Sequence, residues 1–592
     1  MEFLNHVLIV AGWDVVRQAR RPFFFVSRMA LAGVVSIQVI WLWAIYFSQS
    51  QGTEDLMPST IIYQVQSIFD SSLFIMSVGI VLLCPALTAG SIAGDRERKI
   101  WYDLMNSPLS GWSIVLGKMC GRLATVFAWI LVVLPVWAIL GLVGGLDPKL
   151  VLFSFMTLFF YGWLYAAIGL FASVMTSRTR DALGLATSIV ILLLIAPAVG
   201  EFLKELTDSM AILSITDYTR MLVIFNPFIT SPFGPNGKMS HEYSVIFTII
   251  LSGPILTWIC GILLRPVSQH LENKTVQKTG QMKDPMNDPQ RKDAYHKSDR
   301  NYRYISFLYS PLAIKERSVR SGSRLGRFMK SLVILLVLSI GGYYLLTKFL
   351  DAMQETNQYG INSSSGLERY EFRNIVCIIS GISHCVFMYA FMIGASSRIL
   401  SEKESDTWLT LLSTPVEASE ILISKAIATV WEWRLSIAFV LISWLLALIS
   451  IAINPINIVI SAMIWSVQIV FFLVLGLRFG LTSKSFQSAA LKSIGTWILL
   501  QIMIPLVCLS ILQLKYVAAA IQPTFLANLP LIYAPHDYTY GSKSEPVVTV
   551  LKLTGLIITL TMTFSSLMIY NSLCLNFNKL TDRTQDKPDS SV

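Results

Sequence analysis

About twelve apolar stretches, most of them near the ~20 residues needed to cross a hydrocarbon layer, leave this chain few folds to choose from. Inside a bilayer every backbone N–H and C=O needs a partner within the protein, so runs of this kind must be helices. They lie near residues 29–47, 61–93, 119–144, 150–175, 182–199, 244–264, 331–350, 375–396, 426–453, 458–481, 489–514 and 547–575. With 54% hydrophobic residues against 14% charged, the composition is that of an all-α polytopic membrane protein and not of a soluble domain. The net charge of +10 then belongs to the loops, where it informs topology, and does not describe a nucleic-acid surface.

The apolar pattern breaks at 265–303, a polar stretch rich in Lys, Asp, Gln and Pro that reads as a flexible linker. It divides the chain into a first six-span half, 1–264, and a second, 304–575, followed by a polar tail, 576–592. Each half opens on an interfacial segment. In the first, Phe3, Leu4, Val7, Leu8 and Trp13 supply an apolar side, and Arg17, Arg20, Arg21 and Arg28 a basic one. Lys and Arg concentrate in the linker and at Arg17–Arg28, Arg96–Lys99, Arg178–Arg180 and Lys484. The opposite loops carry Glu54, Asp55, Glu201, Glu205, Asp208, Asp351, Glu355 and Glu368, with fewer bases. The positive-inside rule therefore puts both termini and the linker in the cytoplasm. Six spans is an even number, so the halves run the same way, as parallel repeats.

One stretch occurs twice, 307 residues apart and without a gap. The first copy holds Asp95, Glu97, Trp101, Leu104, Met105, Ser107-Pro108 and Lys118; the second holds Glu402, Glu404, Trp408, Leu411, Leu412, Thr414-Pro415 and Lys425. Ser401 with Glu404 fits a capping box, and Thr414-Pro415-Val416-Glu417 fits another, so the pattern predicts a short helix, a break near Ser413 and a restart. Gly94 stands where Ser401 does, which leaves the first copy less well capped. Trp408, Leu411 and Leu412 share a face at i, i+3 and i+4, as do Trp101, Leu104 and Met105. A helix of about ten residues is marginal alone in water, so these faces need something to pack on. The lipid headgroup region is one candidate, since Trp often lies there. Two symmetric partner grooves are the other, and the duplication favours them.

Acid-x-Glu, an apolar face, Ser/Thr-Pro and a Lys entering the next span resemble the loop between the second and third spans of ABC-transporter permeases. The branch is that of the six-span drug, polysaccharide and O-antigen exporters. The Thr176-Ser177-Arg178-Thr179 loop, echoed by Thr482-Ser483-Lys484-Ser485, and Asn226-Pro227, loosely echoed by Asn528-Leu529-Pro530, fit the same pattern. The resemblance spans nearly the whole chain twice. It departs at Gly94, at Arg98-Lys99 and at Ser424, which stands where the first copy has Gly117. It implies that 95–107 and 402–414 are coupling helices resting on two separate cytoplasmic ATPase subunits. Those subunits would hold the ATP and magnesium, and a solute would leave across the cytoplasmic (inner) membrane.

No segment satisfies Gly-x4-Gly-Lys-Ser/Thr, the nearest being Gly111 to Lys118 with the wrong spacing, so the chain itself is not expected to hydrolyse ATP or to hold a cofactor. The histidines are scattered and His384 reads as a core residue, which leaves no metal site. Charges inside spans are pathway candidates by default, and Asp70 and Glu432 qualify. Two other classes fit less well. A membrane scaffold that docks an ATPase without moving solute would share the coupling helices. An ion-coupled secondary transporter would need more acids near mid-bilayer.

Overall fold

The computed structural model describes residues 2–20, 22–50, 58–144, 147–206, 225–228, 242–280, 316, 324–359, 367–404, 407–413, 416–505 and 545–577. All regular structure among them is helical. The first half contains α1 (Glu2–Ala19), α2 (Pro22–Ser50), α3 (Pro58–Ala89), the short α4 (Ala93–Glu97) and α5 (Trp101–Asn106), then α6 (Gly111–Gly144), α7 (Pro148–Met175), α8 (Thr179–Leu206) and α9 (Glu242–Gly280). The second contains α10 (Arg324–Tyr359), α11 (Leu367–Glu404), the short α12 (Trp408–Leu412), α13 (Ala418–Glu432), α14 (Arg434–Ile449) and α15 (Pro455–Thr482). It closes with α16 (Phe486–Ile498), prolonged by a π turn (Leu499–Met503), and α17 (Glu545–Leu575).

Among the described residues nine helices are long and apolar enough to span, or ten when α13 and α14, bent by 63°, are taken as one. The two other expected spans coincide with α2 and with α16 and its π turn. The end of the latter, 506–514, lies outside the described residues, as do 281–303 of the expected linker and 578–592 of the tail. Three expectations need correction. Residues 265–280 are not linker but the continuation of α9, whose polar end follows an apolar span without a breaking signal strong enough to stop it. Phe577 is not tail: it is buried against the Trp408 ring, 6.3 Å between centroids. The ninth span is not one straight helix but breaks at Trp433.

The two halves are built alike. In each, the second-span helix packs against the fourth, α3 on α7 and α11 on α15, and the fourth packs against the last, α7 on α9 and α15 on α17. At both α3–α7 and α11–α15 crossings a glycine lets backbones touch: a Cβ on Gly169 would fall on the Pro85 carbonyl, and one on Gly476 on the Met392 carbonyl. These residues are again 307 apart, pair for pair. Asp147 and Asn454 both cap the following helix through their side chains, with Pro148 and Pro455 at its first position. The halves meet where α8 lies on α10 and where α3 lies on α16. There the Gln487 amide donates to the Leu87 carbonyl at 2.8 Å.

The first interfacial segment forms α1, which lies along α6. Asp14 and Gln18 face α6, and Leu8, Ile9 and Trp13 face outward. α1 thus has an exposed apolar side, as the sequence predicts, but the expected basic side is split, since Arg28 lies in α2, where it donates to the Phe24 carbonyl at 3.0 Å.

Candidate docking site at the basic end

In the first copy α4 stops at Glu97, the chain turns through Lys99 at φ 62°, and α5 follows from Trp101. A left-handed residue that is not glycine is uncommon, and it marks a sharp, defined corner. In the second copy α11 runs unbroken from the membrane to Glu404, and α12 covers Trp408–Leu412 with Ser413 as its C-cap. Ser401 is therefore not an N-cap. It lies inside α11, where its hydroxyl donates to the Arg398 carbonyl at 3.1 Å. The helix continues because the residues after Ser401 have partners elsewhere in the fold. The second expected capping box does not form either: Thr414 and Pro415 lie outside the described residues, but α13 opens only at Ala418, with Glu417 extended before it.

Those partners form a ladder that repeats rung by rung. Asp95 pairs with Lys118, whose ammonium also donates to the Ser91 carbonyl at 2.9 Å. Glu402 accepts from Lys425 at 2.8 Å. Next, Arg96 donates to the carbonyls of Ser173, Val174 and Thr176 at 3.3, 2.9 and 2.7 Å. Lys403 donates to those of Gly480 and Leu481 at 3.2 and 2.7 Å. These carbonyls end α7 and α15 and have no partner within the helix, and a cation there also opposes the helix dipole. Then Glu97 accepts from the Thr179 backbone N at 2.9 Å and the Thr179 hydroxyl at 2.6 Å, and Glu404 accepts from the Phe486 N at 3.0 Å. These amides open α8 and α16, where orphan donors and the dipole favour an anion. Finally, Arg96 sits over the Trp101 ring and Lys403 over the Trp408 ring, at 5.1 and 5.7 Å.

Each acid–base–Glu triplet thus ties the repeated stretch to three spans at once: α6 or α13, the end of α7 or α15, and the start of α8 or α16. In the second copy the tie is heavier. The Lys425 side chain is fully buried and also meets Glu316 at 3.0 Å, while Arg398 lies 3.5 Å from Glu316 and 3.3 Å from Glu432. Burial works against the Glu316 carboxylate, but Lys425 and Arg398 outweigh it and hold its pKa below the ordinary carboxylate range.

The apolar faces are not free. Trp101 is 2% exposed inside the first half's core, with Leu104 and Met105 packed against that core. Trp408, Leu411 and Leu412 are buried in the second half's core. Asp95, Glu97, Glu402 and Glu404 are engaged by the chain itself, as above. The side turned outward is the opposite one: Arg98, Lys99, Ile100 and Asp103 in the first copy, and Thr407, Leu409, Thr410 and Ser413 in the second. The heptad-like spacing finds a buried face but does not say what buries it.

Of the pathway candidates, Asp70 lies apart from these contacts and Glu432 joins those of the second copy through Arg398. Asp70 is exposed on α3, and Glu432 bonds to Lys330 at 2.6 Å beside Arg398. Neither lines the apolar cavity of about 300 Å³ between the halves. Its walls include Leu31, Ile80, Trp129, Phe479 and Leu499, with Lys492 its sole charged residue. His384 is buried edge-on to the Trp465 ring at 4.8 Å between centroids.

A family model described as ABC-2 family transporter protein matches the chain twice, over residues 23–263 and 311–579. The chain belongs to the ABC-2 transporter family. Two matched regions make it a tandem permease, the multi-pass membrane component of an ATP-binding cassette transporter, and the family implies an ATP-binding cassette partner. Comparison with curated proteins yields no match.

Proposed function

We propose that this permease exports a solute across the cytoplasmic membrane, driven by two separate ATPase subunits that dock on the exposed faces of α5 and α12. The observation that carries this reading is the repeated ladder. Two helices at the same end of the bundle are anchored by the same contacts, and each leaves one outward face. Excess Lys and Arg at that end supports a cytoplasmic placement for it and for both termini. Anchoring to three spans lets a displacement of either docking helix move its half as a body, so ATP-driven closure can shift the balance between inward- and outward-facing states. Among the described residues the two faces differ, one carrying Arg98 and Lys99 with Ile100 and the other Thr407, Thr410 and Ser413 with Leu409. This supports two unequal contacts and fits an ATPase pair that is itself asymmetric. The apolar cavity with one cation supports an apolar or amphipathic cargo of acidic character.

The test is co-purification of the ATPase with single and paired variants Ile100→Asp and Leu409→Asp. Both residues are exposed, so neither change should disturb the fold. The pair should lose the ATPase and solute-stimulated hydrolysis, and each single change should weaken both to a different degree. Unchanged association and coupling in the paired variant would refute docking on these faces.

A further inference from the structure

A second cavity, of about 270 Å³, opens at the basic end on the seam between the halves. Its lining carries six cationic and four acidic side chains. The acids are already engaged. Asp95 holds Lys118, Glu97 and Glu404 cap α8 and α16, and Asp14 lies 3.2 Å from Arg122 Nε while accepting from Gln18 at 3.1 Å. Three of the cations are also engaged, Lys118 by Asp95, Lys403 by the α15 carbonyls and Arg122, on its Nε side, by Asp14. What remains facing the space is positive. Arg98 and Lys484 are exposed at its edge, and Arg17, from α1, is half-buried.

Arg122 decides the character of the site. It is 6% exposed, lines the cavity, and its terminal Nη1 is buried with no hydrogen-bond partner. A guanidinium cannot shed its charge, so a buried terminal nitrogen of this kind is costly until a small shift of the side chain brings it against an acceptor, and the cavity that Arg122 lines has room for one. The second half shows that Arg122 is not part of the repeated scaffold. Its counterpart, 307 residues on, is Thr429, whose hydroxyl simply donates to the Lys425 carbonyl at 2.8 Å. The volume exceeds one water many times over, and the donors are a fork and point charges of the kind that hold tetrahedral oxyanions.

We propose that this cavity binds a phosphate group, held by Arg122 with Arg17, Arg98 and Lys484, and carried either by an anionic lipid headgroup or by a free phosphate ester. A bound phosphate joins Arg17 and Arg122 of the first half to Lys484 of the second, so occupancy favours the arrangement in which this seam is closed. The outward apolar residues of α1, next to Arg17, set the cavity near headgroup depth, which makes the lipid source sterically direct.

The experiment uses the purified full chain. One arm titrates inorganic phosphate in detergent at constant ionic strength. The other compares nanodiscs of phosphatidylglycerol with nanodiscs of phosphatidylcholine, reading melting temperature and calorimetric binding. Wild type should show saturable stabilisation in at least one arm. Phosphate alone identifies a free ester, and phosphatidylglycerol alone identifies the headgroup. Arg122→Gln should weaken binding about tenfold or more. Lys484→Gln, exposed and on the other half, should weaken it several-fold while leaving the ligand-free melting temperature unchanged, which separates binding from folding. No stabilisation by either probe beyond that of matched chloride or phosphatidylcholine would overturn the proposal. So would wild-type affinity in Lys484→Gln and Arg122→Gln.

Discussion

Replacing Lys425 by Met tests the anchoring of the second docking stretch most directly. Met retains much of the apolar stem and removes only the ammonium. That group donates to Glu402 at 2.8 Å, to Glu316 at 3.0 Å and to the Arg398 carbonyl at 3.4 Å, from a side chain with no solvent exposure. Breaking a buried ion pair by removing one partner costs about 3–5 kcal/mol, because the remaining charge is stranded. Here two carboxylates lose the same cation, although Glu316 keeps Arg398, so the upper part of that range applies. The second half exceeds the roughly 150–250 residues for which each kcal/mol moves the midpoint by about 2–4 °C, so the low end applies and the melting temperature should fall by about 8 °C. Lys118→Met, which strands only Asp95, should cost roughly half as much. Adding Glu402→Gln to Lys425→Met should recover part of the loss, since the stranded charge is gone. The assay is thermal unfolding of the purified chain in one detergent, followed by tryptophan fluorescence. A Lys425→Met midpoint within about 1 °C of wild type would refute the ladder, because surface-like changes stay within about 0.5 kcal/mol. So would a double variant no more stable than the single one.

Two further outcomes follow from the same contacts. Glu97→Ala and Glu404→Ala each remove a helix-opening acceptor, so each should cost about 0.5–2 kcal/mol. Amide hydrogen exchange should speed up at Thr179 in the first variant and at Phe486 in the second, and unchanged exchange at both would show that the caps are idle. Glu316 has a folded pKa below its ordinary value, so its contribution is full above the unfolded glutamate pKa of about 4.3 and is lost as pH falls through the lower folded value. Wild type should therefore lose stability more steeply than Glu316→Gln below about pH 4. Parallel melting curves across that window would contradict the assignment.

The helical polytopic class, the two tandem halves and the 307-residue register were legible because they rest on run length and periodicity, which tertiary contacts seldom override. The direction of side chains around the docking stretch was not. An amphipathic pattern at Trp408, Leu411 and Leu412 announces burial, and the same pattern serves a partner groove or the chain's own core. The Ser401–Glu404 capping box failed for a related reason. Local capping chemistry is worth about 1 kcal/mol, whereas Lys403 and Glu404 gain several charged hydrogen bonds by letting α11 run on. Asp14 escaped the reading of α1 as apolar against basic. The signal was there, in Asp14 and Gln18 at i and i+4 opposite Leu8 and Ile9. Glu316 had no such signal, since its meaning comes only from Lys425 more than a hundred residues away.

Burial of both apolar faces changes what α5 and α12 can do under the proposed docking. A helix held only by a partner's groove could swing on its own, and the membrane part would feel it weakly. Here Trp101 and Trp408 are set into the core of their own halves, and the adjacent base and acid close the α7–α8 and α15–α16 corners. Packed interiors transmit displacement and do not absorb it. Any motion imposed at α5 or α12 must then appear where packing is interrupted, and two helix contacts on the described seam are such places. One is the α3–α16 contact, flanked by the apolar cavity and by the basic one; the other is the α8–α10 contact. The first carries the cross-seam bond from Gln487 to the Leu87 carbonyl. Under the proposed docking, this bond and the phosphate site beside it are the points at which one half lets go of the other, and the repeated ladders are what keep each half whole while it does.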